Sequence, residues 1–274
     1  MKRFDKIISD IKKVKTQGAE NVALAGIQAY LLQHNKTSIE QILKTRPTEP
    51  LMQNAINFLK KSKDPKQAAR TFKEFIKQAD EQIAKQGAKL IKNNMNVFSH
   101  CHSSTVIRIL KQAKKLKKNF VVYTTEVEPL LQGRKTATEL AKAKIKVILF
   151  PDLAGEQAIK KCDLFLFGAD AFSKKGLANK IGTSVLCKLA EEYNIPRYSC
   201  GISLKYTKKI ILEQRPSEEV WDETNKRIQI INPAFDFVPK KLLTGVVSEF
   251  GVLKYGAFIK HAKKNLKSFM SYGI

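Results

Sequence analysis

Apolar residues along roughly the first ninety positions recur at helical spacing. Phe4, Ile7, Ile8, Ile11 and Val14 fall at i, i+3, i+4, i+7 and i+10, a single stripe along a helix. Gln17-Gly18 interrupts that pattern, and a second helix is expected from about Asn21 to Gln33. The stretch TRPTEP, Thr45 to Pro50, carries two prolines and predicts a restrained loop that presents Arg46 ahead of another helix. From Pro65 to Ile91, residues Ala69, Phe72, Phe75, Ile76, Ala79, Ile83 and Ala84 share one side of a long helix. No strand pattern occurs in this part.

After Lys92 the rhythm changes to short apolar runs separated by amphipathic stretches: NVFS, NFVVYT, IKVILF, DLFLFGA and RYSCG. Buried strands alternating with helices make βαβ units, hence a mostly parallel sheet flanked by helices. The expected organisation is α/β, with a helical N-terminal domain over residues 1–92 and an α/β domain over 93–274. In such sheets ligands bind beyond the carboxyl ends of the strands. That rule directs attention to HCHSST, TTEVEPLLQG, PDLAG, GADAF and the surroundings of Gly201. Neither GxGxxG nor GxxxxGK[ST] occurs, which argues against a dinucleotide site or a P-loop.

Composition adds little to the fold and something to the choice of ligand. With 274 residues, 43% of them hydrophobic, the chain can bury a substantial core. It has no apolar run long enough to span a membrane, and its N-terminus MKRFDKIISDIKKVK lacks a secretory core, so a cytoplasmic protein without membrane contact is expected. The net charge of +25 creates a field attractive to nucleic acid or to anionic metabolites. The basic residues are spread along the chain, mostly Lys, with few aromatics between them, so a solvated surface accounts for them and RNA binding has only the charge behind it. The densest run, Lys111 to Lys118, belongs to a helix whose Val106, Ile109, Leu110 and Ala113 face the other way. Cys101, Cys162, Cys187 and Cys200 form no CxxC pair and are expected to be reduced.

FSHCHSST, Phe98 to Thr105, is the densest concentration of reactive groups. Cys101 leaves a strand just before a helix opening at Ser103-Ser104-Thr105, where a helix dipole and free N–H groups favour a thiolate and hold a phosphate. A small buried cysteine at a strand end is the alternative. His34 and His261 are too distant in sequence to complete a metal site with His100 and His102, so neither a metal nor a cofactor is expected. Asp170 ends an apolar strand, where desolvation raises a carboxyl pKa and suits a proton carrier; a turn-capping Asp is the alternative. Asn179, Lys180, Gly182, Thr183 and Ser184 precede a long helix and form a candidate anion cradle, with a surface role for Lys180 as the alternative.

HCHSS, VEPLLQGRKTATEL, FGADAF, NKIGTS and NPAFD, in this order after TRPT, resemble one family. It contains ribose-1,5-bisphosphate isomerase, methylthioribose-1-phosphate isomerase and the alpha, beta and delta subunits of translation initiation factor 2B. The resemblance covers nearly the whole chain and is of the archaeal type. It implies a Rossmann-like C-terminal domain and a homodimer or higher even oligomer. It further implies an aldose-ketose isomerase acting on a phosphorylated ribose, with Cys101 and Asp170 as the catalytic pair. Ligand contacts would come from the loop Gln17-Gly18-Ala19, from Arg46, Ser103, Ser104, Thr105, Gln132, Asn179, Lys180 and Lys205. The alternative it implies is a non-catalytic regulatory subunit that binds a sugar phosphate or nucleotide and has a translation factor as partner. The chain also departs from the isomerases. Gln17-Gly18-Ala19-Glu20 replaces Arg-Gly-Ala-Gly, Glu126-Val127-Glu128-Pro129 replaces Glu-Thr-Arg-Pro, and Ser104 stands where they carry lysine. A carboxylate at Glu20 disfavours a phosphate beside it and so argues against the bisphosphate.

Overall fold

The structure is a computed structural model that describes residues 3–223 and 225–271. Five helices come first: α1 (Arg3–Lys12), α2 (Ala19–Leu32), α3 (Lys36–Thr45), α4 (Pro50–Lys61) and α5 (Pro65–Leu90). Their ends follow local chemistry. The Asp64 side chain accepts from Lys66 N and Gln67 N at the start of α5, and Pro50 and Pro65 occupy first-turn positions whose N–H groups would be unpaired anyway. Helix α3 went unread in the sequence because KTSIEQILKT carries few apolar positions; Asn35 caps it by accepting from Ser38 N.

Alternation then begins: β1 (Met95–His100), α6 (Ser104–Lys115), β2 (Phe120–Thr125), α7 (Gln132–Lys142), β3 (Lys146–Phe150), α8 (Gly155–Ile159) and β4 (Leu164–Phe167). After these come β5 (Ala171–Phe172), β6 (Gly176–Lys180), α9 (Thr183–Glu192), β7 (Arg197–Cys200), β8 (Phe235–Pro239), β9 (Gly245–Ser248), β10 (Gly251–Leu253) and α10 (Tyr255–Ser271). The main sheet has the order β10-β9-β7-β4-β1-β2-β3, parallel except for the edge pair β9–β10, which gives the α/β, mostly parallel class. A second, antiparallel sheet, β5-β6-β8, takes its first two strands from the stretch between β4 and α9, where the sequence predicts a loop, and its third from after residue 234. Its strands are as short as two residues, and the middle one, GLANK, is buried on both faces, so no alternation marks it.

The helical half and the sheet share one core. Gly87 of α5 lets Ile109 of α6 approach so closely that an added Cβ would lie 2.6 Å from its Cδ1. At the other end of the chain, Phe269 of α10 returns to Phe58 of α4 and Phe72 of α5, with ring centroids 4.4 and 5.6 Å away. Each buried aromatic of this kind contributes about 1.5–3 kcal/mol, so the last helix fastens the first ones. Among the described residues no helix is long and apolar enough to cross a membrane.

Candidate active site

The order of the main sheet reverses at β1: the chain runs outward through β2 and β3, then returns to place β4 on the other side of β1. A crevice opens at the carboxyl ends of strands wherever this happens. His100 of β1 is in register with Phe167 of β4, so Cys101 and the Gly168-Ala169-Asp170 turn leave neighbouring strand ends. Between them lies a cavity with about 130 Å³ open to water, and both Cys101 and Asp170 line it. Gln17, Gly18 and Ala19 reach the cavity from the start of α2, Arg46 from the loop after α3, and Ser103, Ser104 and Thr105 from the start of α6. Gln132, Asn179, Lys180 and Lys205 complete the lining. Residues spread over most of the chain thus meet at one point.

Cys101 has a left-handed backbone (φ 65°), and its carbonyl accepts from Thr136 Oγ1 at 3.0 Å, which fixes the turn. The expected thiolate is not what its surroundings favour. Burial pushes the thiol up to about 12, with Asp170 and Asp152 adding to the rise, and this outweighs Lys180 and the His102 N–H. Ser103 caps α6 itself by accepting from Val106 N. The surroundings of Cys101 therefore favour the neutral thiol over the thiolate.

The two histidines serve the scaffold. His100 is buried, with Nε2 2.9 Å from Ile181 O, and burial lowers its pKa. His102 Nδ1 lies 3.2 Å from Thr136 Oγ1, and burial likewise lowers its pKa. Asp170 is pushed up by burial, with Glu213 adding to the rise, while Lys205, Arg46 and Lys180 pull the other way. Lys205 Nζ donates to Ala169 O at 2.6 Å, which holds the ammonium beside that turn.

The anion cradle expected at the start of α9 is already taken. Asp236 Oδ2 accepts from Gly182 N at 2.8 Å and from Ser184 N at 3.0 Å. Thr183 Oγ1 donates to Lys180 O and accepts from Asn179 Nδ2. Gly182, Thr183 and Ser184 thus build the turn that presents Asn179 and Lys180, and only those two of the five line the cavity. The aspartate of NPAFD finds its structural role here.

Glu20 is not an open carboxylate. Arg108 Nη2 lies 2.9 and 3.1 Å from its two oxygens, and Arg108 Nη1 lies 2.8 Å from Asp80. Ser104 Oγ, at 3.5 Å from Glu20 Oε2, joins this cluster, so two of the departures from the isomerase pattern meet in space. Val127 N and Glu128 N, in the third departure, both donate to the Asp152 carboxylate at 2.8 Å and anchor the loop before Gln132.

Two features escaped the sequence reading. Glu49, only 2% exposed, accepts from Arg46 Nη2 at 3.1 Å inside the cavity wall. Burial and then Asp170 push its carboxyl up to about 8, against the pull of Arg46 and Lys205. The signal was a carboxylate three residues after Arg46 in TRPTEP, although nothing local announced its burial. The second feature is the irregular stretch 207–216, which brings Glu213 to 3.3 Å from Arg46 Nε and Arg215 to the cavity.

A buried acid, a thiol and several cations thus meet at the switch point of a mostly parallel sheet in an α/β protein. The match to the family model described as the Initiation factor 2 subunit family spans residues 11–255, and the chain belongs to that family. Ribose 1,5-bisphosphate isomerase of Methanocaldococcus jannaschii is 32% identical over 273 residues, covering 89% of this chain and 89% of its own length. Methylthioribose-1-phosphate isomerase of Thermoanaerobacter sp. is 34% identical over 200 residues, covering 65% of this chain and 58% of its own. Among solved structures, the Pyrococcus horikoshii translation initiation factor eIF-2B superposes with a TM-score of 0.82 at 27% identity, over 93% of this chain and 98% of its own.

Proposed function

We propose that the protein is an aldose-ketose isomerase acting on a phosphorylated ribose. The observation that carries this reading is the placement of Asp170 and Cys101 at adjoining strand ends in a cavity that also holds Arg46, Lys180 and Lys205. A carboxyl whose pKa is raised by burial is suited to giving up and taking back a proton. Asp170 gives its proton to the ring oxygen as the C1–O bond opens. The hydrogen on C2 then passes to C1, and the proton of the C2 hydroxyl returns to Asp170 as the ketone forms. C1 is reduced and C2 oxidised, so no outside oxidant is needed. A thiol pushed up to about 12 is a poor proton shuttle, which favours direct passage of hydrogen with Cys101 packed neutral against the reacting carbons. Lys180 and Lys205, in none of the ion pairs among the described residues, hold the phosphate together with Arg46. Gln132 and Asn179 supply neutral hydrogen bonds to sugar hydroxyls.

The test is to incubate the protein with ribose 1,5-bisphosphate and with methylthioribose 1-phosphate and to look for the ketose by NMR. In heavy water the product keeps the hydrogen at C1 unexchanged; full exchange there overturns the direct passage.

The second reading is a regulatory subunit that binds the ligand without turnover and contacts a translation factor. It is favoured by the carboxylates already on Arg46 and by the Glu20–Arg108 pair. Binding without ketose formation would establish it.

The same proposal treats residues 1–92 as a helical domain that carries Gln17, Gly18, Ala19 and Arg46 to the sheet edge of 93–274. It also takes the protein as cytoplasmic and as a homodimer or higher even oligomer. Val220, Trp221, Ile228 and Ile231, all exposed on one irregular stretch, support an interface, which light scattering would test.

A further inference from the structure

Arg46 is 6% exposed, lines the cavity and is held from two sides. On one side, Nε lies 3.3 Å from Glu213 Oε2. That carboxylate has other partners: Thr48 Oγ1 donates to it at 2.8 Å, and Arg215 Nη1 lies 3.1 Å from its second oxygen. On the other side, Nη2 donates to Glu49 Oε1 at 3.1 Å. Glu49 differs from Glu213 in having no second ion pair among the described residues and no hydroxyl donor, and its Oε2 is buried without a hydrogen-bond partner. It sits just before α4 without capping that helix through its side chain. A buried carboxylate with one oxygen unsatisfied is costly, and the cost disappears when that oxygen carries a proton and finds an acceptor. The cavity is the place from which an acceptor would come.

We propose that Glu49 governs access to Arg46: as a carboxylate it keeps the guanidinium for itself, and as a neutral acid it yields it to an anionic group of the ligand. Binding of a phosphoryl or other tetrahedral dianion is therefore coupled to one proton on Glu49. Glu213 is unsuited to this part, because Thr48 Oγ1 and Arg215 Nη1 already occupy both of its oxygens. The charged groups that face Glu49 are Arg46 from the loop, Lys205 from beyond β7, Asp170 from the turn after β4 and Glu213 from the irregular stretch. Burial of Glu49 and the Asp170 charge both raise its pKa, in agreement with a carboxyl that binds the ligand in its protonated form. This inference rests on a dianion occupying the cavity, as the isomerase reading requires, but not on turnover.

The probe is sulfate, which stays a dianion across the range, measured by calorimetry between pH 7 and 9 at constant ionic strength. With Glu49 titrating at about 8, the Kd for sulfate rises about tenfold from pH 7 to pH 9. Proton uptake, read in two buffers of different ionisation enthalpy, approaches one per sulfate at pH 9. In Glu49→Gln, and in Glu49→Ala as a second variant should the first fold poorly, the Kd stays within about twofold over the same range and the uptake vanishes. An unchanged pH slope in both variants overturns the proposal. So does a slope lost in Asp170→Asn but kept in Glu49→Gln, and so does an absence of sulfate binding at pH 7. Ketose formation is not read in this experiment. Failure here leaves the isomerase reading standing, and a protein that makes no ketose can still show the proton-linked binding.

Discussion

Arg108, beside the cavity-lining Glu20 and Asp80, and Arg46, within the lining itself, each sit between two carboxylates, and they do so to different ends. At the rim, Arg108 is 38% exposed in its side chain and pairs with Glu20 at 2.9 Å and Asp80 at 2.8 Å. At the floor, Arg46 is 7% exposed in its side chain and pairs with Glu49 and Glu213 at 3.1 and 3.3 Å. Water screens the Arg108–Glu20 pair, whereas Asp80 is buried and burial pushes its carboxyl up to about 6; the cluster as a whole fastens α2, α5 and α6 together. The floor cluster lies in low dielectric beside Asp170, Lys180 and Lys205, where an uncompensated charge is expensive and a ligand's charge decides the balance. The same residue types make a latch in one place and a poised site in the other.

The largest effect that would separate the two clusters is on turnover. Asp170→Asn is expected to lower kcat by about a thousandfold while sulfate binding remains, since it removes the acid and keeps the shape. Cys101→Ser keeps a neutral partner of similar size and lowers kcat less, by about ten- to a hundredfold, with little change in KM. Steady-state kinetics on the aldose 1-phosphates checks both. Next is Arg46→Met, expected to weaken phosphate binding by about ten- to a hundredfold through loss of a charge-assisted bond.

A stability experiment sharpens the contrast further. Glu49 titrates at about 8 in the folded protein, above the ordinary carboxyl value of 4.5, so its contribution to stability is full below that ordinary value and is lost as pH rises through about 8. Glu49→Gln should therefore gain on the wild type by about 4 kcal/mol between pH 5 and pH 9, as followed by urea melts. The smallest effect belongs to the rim. Glu20→Gln is expected to cost about 1 kcal/mol or less and to leave the Kd for sulfate unchanged. A rim variant that abolished sulfate binding would erase the distinction between latch and site.

How much of this was legible in the sequence differs along the chain in the same way. The long helix α5 and the strands β1 to β4 carried strong periodicity, because each buries one stripe or one short run, and their boundaries fell within about two residues of those expected. The elements after Cys200 carried little. Strands β8, β9 and β10 are three to five residues long and lie between irregular segments, so pairing partners far away in the chain define them. Within the site, Cys101 and Asp170 were named from position and motif and Arg46 and Lys205 from the family resemblance, and all four line the cavity. Glu49 was not named, since its chemistry comes from burial against Arg46 and Asp170, a tertiary fact. The choice between thiol and thiolate at Cys101 was open in the sequence for the same reason: the nearby helix end was visible there, and the desolvation that opposes a thiolate was not.

The central claim is that Asp170 and Cys101 act together on a phosphorylated ribose. It is tested most directly by following ribose 1,5-bisphosphate and methylthioribose 1-phosphate separately by carbon NMR in the presence of the wild-type protein and of Asp170→Asn. The account predicts a ketone signal at C2 from at least one of them with the wild type and none over the same interval with the variant. Binding of both compounds by the wild type with no ketone from either, or equal ketone formation by the two proteins, would contradict it.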